Sequence, residues 1–178
     1  ADNDATLNLT TVRDSLSASI KLAAEVLRRP AFPETEFEQM RQASLGRVEN
    51  NLKEPGALAP QAMRKHLIRY PTGDPRAVTT FDEDIANLKK LSVADVKKFY
   101  ADFFGASHAE MVVVGDFDPA EIRKVAEAEL GDWKSPAEYQ LVLRARDQVG
   151  TVNQMIETPD KANAVFMAGF TLAMNEDN

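Results

Sequence analysis

No cysteine occurs among the 178 residues, so neither a disulfide framework nor a cysteine-bearing zinc site can be built, and the redox compartment is left open. Histidine is nearly absent as well: His66 and His108 stand forty-two positions apart, and neither HExxH nor HxxEH can be written anywhere in the chain. Basic charge is in deficit. With 21 Lys and Arg against 28 Asp and Glu, the net charge of -7 repels nucleic acid and anionic lipid, and neither is expected as a partner. No apolar run approaches the roughly twenty residues that span a bilayer, and "ADNDATLNLTT" carries no basic start or apolar signal core, so the expectation is a soluble chain, cytoplasmic or periplasmic if bacterial. GxSxG, SxxK and a glycine-rich phosphate loop are all missing, which leaves nucleophilic hydrolysis and nucleotide binding without a signal.

What is present reads mainly as helix. Val12, Leu16, Ile20, Ala23, Val26 and Leu27 recur at three- and four-residue steps after Thr11 and Asp14, which resemble a capping box, and Pro30 ends the run. A second, long helix is expected from Thr35 and Glu38 to "EPG", with Phe37, Met40, Ser44, Leu45, Val48 and Leu52 facing inward. A third should follow Pro60, carrying Ala62, Met63, His66 and Leu67 inward. "YPTGDPR", residues 70–76, reads as a loop. Two short helices come next, the second opening at Ser92 with Asp95 and packing Phe99, Tyr100 and Phe103 into a core until Gly105.

The stretch "AEMVVVGDFDPAEIRKVAEAELGDW", residues 109–133, poses the sharpest question. Met111 to Val114 read as a buried strand, and Asp118-Pro119-x-Glu121 supplies an N-cap oxygen, a proline at N1 and a glutamate at N3. Gly115 would permit a positive φ, while Asp116 would be a ligand only if other donors converged on it; a joint between strand and helix is the simpler role. His66 reads as a packed histidine on a helix and His108 as the start of a strand. The acids of "FDEDI" and "PETEFE" suit helix N-termini. After Trp133 the pattern loses its helical period, and "TVNQMIE" and "NAVFMAGFTLAM" return to strand-like alternation. The expected organisation is therefore α+β, with helices packed on a mostly antiparallel sheet: a helix-rich lobe over 1–134, a linker over 135–150, and the first strands of a second lobe over 151–178. Both ends are expected to be cut within lobes.

In order and spacing, "AEVLRRPAFPETEFEQMR", "YPTGDPR", "LSVADVKKFYADFFGA", "MVVVGDFDP" and "LGDW" resemble the pitrilysin/insulinase-type zinc metallopeptidases, relatives of mitochondrial processing peptidase. The resemblance implies a molecule of two homologous halves, each of two similar α+β lobes, with an HxxEH zinc site in only one half and peptides cut in the chamber between them. It also implies that a catalytic half would carry its third zinc ligand, a glutamate, on the long second helix. Laid on that helix, Arg47 takes the ligand position and Met40 the position of a supporting glutamate, while Glu49 is turned about 200° away from Arg47. Arg47 is then either a cation in a former metal position or an ordinary arginine at the edge of a core helix. "IETPDKANAVFMAGFTLAMNEDN" resembles the start of the final lobe, ahead of the family's substrate-holding arginine and tyrosine. The implied role is the non-catalytic half: no catalytic, cofactor-binding or metal residue here, zinc in a catalytic half on the same or a partner chain, and peptide as substrate. Two other readings remain. One is an assembly or partner subunit of a wholly inactive homologue; the other is an unrelated α+β enzyme whose carboxylate site draws on "FDEDI" and "YPTGDPR".

Overall fold

A computed structural model describes residues 5–140 and 148–172. All regular structure among them is helical: a 3-10 turn, Arg13–Ser15, leads into α1 (Leu16–Arg28), followed by α2 (Glu34–Asn51), α3 (Pro55–Leu67), α4 (Phe81–Lys90), α5 (Val93–Phe103) and α6 (Pro119–Leu130). The chain divides into two compact units, one of Ala1–Pro33 with Val93–Tyr139 and the other of Glu34–Ser92 with Gln140–Asn178. The expected linker over 135–150 and lobe over 151–178 fall partly outside the described residues.

The first unit is built on α1 and α6, which pack against each other through Ile20, Ala24 and Ile122, all buried. Only part of the expected α1 face is used, since Val12 and Val26 are 70% and 56% exposed. Thr11 and Asp14 form no cap; the 3-10 turn starts the helix instead. Asp118 does cap α6 as its spacing predicts, its carboxylate accepting from the amides of Ala120 at 2.8 Å and Glu121 at 3.3 Å. At the C-terminus of α1, the Tyr100 hydroxyl donates to the Leu27 carbonyl at 2.6 Å, satisfying one of the acceptors a helix end leaves unpaired. Phe32, held at φ 47 in the turn that follows, sets its ring edge-on to Tyr100. Gly105 is obligatory for another reason: a Cβ there would meet the Ser135 backbone at 2.3 Å.

In the second unit α2 packs on α4 around the buried Leu45. The apolar periodicity of α2 is weak. Local pairs support it, with Glu38 accepting from Arg41 and Gln42, three and four residues on. Glu38 thus works inside the helix rather than in an N-terminal box, and Met40, expected inward, is 71% exposed. The third helix starts five residues earlier than its sequence suggests: Pro55 occupies the first turn, where a missing N–H costs nothing, and Pro60 sits within the helix. α4 has a complete capping box between Thr80 and Glu83.

The α+β expectation is wrong for this structure, because no strand or sheet exists among the described residues. Residues 109–115, 151–157 and 163–172 have no regular secondary structure, and their alternating side chains stand in solvent, with Val112, Val114, Met155 and Phe166 at 75, 92, 88 and 93% exposure. A strand is defined by the ladder it makes with a neighbour, and alternation identifies a face to be covered without supplying that neighbour. Phe99 and Phe103, expected in a core, are 58% and 54% exposed, their rings tilted at 44° with centroids 5.0 Å apart.

Candidate functional site

The glycine-aspartate corner is structural. Gly115 adopts φ 139, a conformation an L side chain rarely takes, and Asp116 receives two hydrogen bonds from one Arg13 nitrogen, at 2.7 and 2.8 Å. Beside it Ser17 donates to Glu121, and at the other end of α1 Arg28 donates to the Glu129 carbonyl and the Asp132 carboxylate. That hydrogen bond raises the Arg28 pKa and lowers that of Asp132. These groups fasten α1 to α6 and to the segment before it.

The histidines lie in different units. His66 is half-buried on α3, where its Nε2 is 2.8 Å from the Gly150 carbonyl; His108 is exposed and tilts against Tyr139 at 5.1 Å. Among the described residues, no three His, Cys, Asp or Glu side chains are grouped to hold a metal ion. Arg47 and Met40 bring no carboxylate to the positions where the resemblance places one. The acids of "FDEDI" and "YPTGDPR" do not gather in a pocket either. The amide and hydroxyl of Thr80 hold Glu83 below its usual pKa, and Asp84 accepts from the Thr79 hydroxyl at 2.5 Å. Asp74 binds the Arg76 guanidinium and amide, which lower its pKa to about 2, while that guanidinium lies over the Tyr70 ring at 4.1 Å.

A more open arrangement occurs between α2 and α4. Ser44, Arg47 and Val48 come from α2 at steps of three and one, and Asp84, Asn87, Leu88 and Leu91 come from α4 and its C-cap at steps of three, one and three. Residues so spaced share a helix face, and the two faces line a groove of about 320 Å³. Its lining is aliphatic at Val48, Leu88 and Leu91 and polar at Ser44, Arg47, Asp84 and Asn87. Arg47 is exposed and has no carboxylate within ion-pair distance among the described residues, unlike Arg13, Arg28, Arg41 and Arg76. A second groove, of about 390 Å³, lies beside α3 and includes His66. Sequence reasoning singled out Arg47 and missed Asn87 and Leu88, whose matching three-and-four spacing on α4 was the available signal.

Residues 90–176 match the family model described as the Peptidase M16 inactive domain. That stretch is similar to the non-catalytic half of the pitrilysin/insulinase-like family, as the motif order suggests. No curated protein matches the chain. The match takes in α5, α6 and the apolar segments beyond them, whereas α2, α3 and nearly all of the α2–α4 groove precede it.

Proposed function

We propose that this chain is a substrate-chamber and scaffold portion of a zinc-dependent peptidase, contributing walls and peptide-binding surface while a separate catalytic half carries zinc, a glutamate base and the activated water. The match of residues 90–176 to an inactive M16 domain carries this reading. The chemistry of position 47 supports it: a guanidinium repels a dication and offers no lone pair to one. Large exposed apolar side chains support a surface that works when covered. In the first unit these include Phe99, Phe103 and Val112, and in the second Phe166 and Phe170.

Bond cleavage requires the activated water, and positioning alone can still accelerate it by holding substrate in a productive pose. The test is turnover of an unstructured peptide by the zinc-bearing half alone, with this chain added, and with the complete second half added. This chain alone should hydrolyse nothing, and the complete second half should raise turnover most. Equal rates in all three mixtures would remove the chamber role, and zinc-independent hydrolysis by this chain would overturn the reading.

A further inference from the structure

We propose that the α2–α4 groove is a binding site for an acidic side chain carried next to an aliphatic one on an extended peptide, with Arg47 as its carboxylate anchor. Guanidinium presents a planar fork of donors that matches a carboxylate, and Arg47 lines the groove without an ion-pair partner among the described residues. The Asn87 amide and Ser44 hydroxyl add donors and acceptors suited to a peptide backbone, and Val48, Leu88 and Leu91 provide an aliphatic wall. At about 320 Å³ the groove accommodates a pair of side chains rather than a folded partner.

Asp84 narrows the choice of anion. It lines the same groove and accepts from the Thr79 hydroxyl, so the groove carries both charge signs and favours a single carboxylate over a phosphate dianion. The net charge of -7 repels acidic peptides at long range, so any preference for them has to come from a local cation.

The experiment measures fluorescence anisotropy of labelled ten-residue peptides, amidated at the C-terminus, titrated with the whole 178-residue chain at low ionic strength. Alternating Glu-Leu should bind at least tenfold more tightly than alternating Gln-Leu or Lys-Leu, and added salt should weaken it. Arg47→Glu and Arg47→Gln should abolish the preference, while Arg69→Gln, outside the groove, should retain it; unchanged far-UV circular dichroism excludes misfolding. Equal binding of Glu-Leu and Gln-Leu, or a preference that survives Arg47→Glu, would overturn the assignment. So would effective competition by millimolar inorganic phosphate, which would point to a phosphate site. This inference adds a contact chemistry to the proposed function and is read from binding to the isolated chain. Its failure would therefore leave the scaffold role to the turnover comparison.

Discussion

The α1–α6 pair and the α2–α4 pair solve the same packing problem to different degrees. The first buries Ile20, Ala24 and Ile122 and adds side-chain hydrogen bonds toward both ends of α1, from Ser17 to Glu121 and from Arg28 to Glu129 and Asp132. The second buries Leu45 alone, and its link from side chain to facing helix, Arg41 to the Lys89 carbonyl, is 3.3 Å long. A polar group that bridges two helices fixes their separation, whereas one spent inside its own helix leaves the facing surfaces to whatever else fits. Glu38 is spent on Arg41 and Gln42, and Asp84 on Thr79, so a groove stays open with Arg47 in its lining.

The largest effect should come from the closed pair. Ile122→Ala removes a side chain that is 5% exposed from the contact that also buries Ile20 and Ala24, and it should cost about 3 kcal/mol in urea unfolding. Leu45→Ala should cost less, about 2 kcal/mol, because its half-exposed neighbours can relax into the space. A reversed order would break the distinction between the pairs. Next in size is the cap of α6: Asp118→Ala strands the amides of Ala120 and Glu121 and should cost about 1 kcal/mol, with Asp118→Asn restoring most of it. No loss in the alanine variant would show that solvent serves those amides equally well.

These elements were legible to unequal degrees, for physical reasons. Asp118-Pro119-x-Glu121 could be read because a cap is a contact between residues two and three apart, fully encoded in local spacing. Pro60 misled because proline at N1 and proline within a helix follow similar text, and the earlier Pro55 had already supplied a start. The strand at 111–114 was misread because pairing depends on a second segment, which local alternation does not encode. Positions 40, 44 and 47 share a face of α2 on helical geometry alone, yet Met40 is exposed while Ser44 and Arg47 line the groove. Which part of that face α4 covers is a tertiary fact. The resemblance to the family was legible because five weak local patterns kept their order, and residues 90–176 match the model of its inactive domain.

A smaller effect sharpens the role of the glycine-aspartate corner. Arg13 and Asp116 are 59% and 80% exposed at their side chains, so solvent screens the pair despite its short distances. A double-mutant cycle with Arg13→Ala and Asp116→Ala should give a coupling below about 1 kcal/mol, falling further in high salt. A coupling well above that would mean that the corner holds the first unit together as strongly as its apolar contact does.

The smallest effect is local to the second unit and depends on pH. Asp74 takes hydrogen bonds from the side chain and backbone amide of Arg76, which pull its pKa from 3.8 to about 2. Because the folded value lies below the unfolded one, the loop gains stability from the ionised carboxylate. That contribution is fully present above pH 4 and is lost as pH falls through about 2. The guanidinium over Tyr70 is held in part by the same carboxylate, so protonation should loosen its seat on the ring. Carbon-detected NMR should find the Asp74 carboxyl titrating near pH 2, with the Tyr70 ring signals moving in the same step. Asp74→Asn should move those ring signals at neutral pH and leave α3 and α4 intact, since neither helix draws a cap from Asp74. A carboxyl midpoint near 3.8, with Tyr70 unmoved, would show that the contact does not persist in solution and that the second unit's local polar links are weaker than those joining α1 to α6.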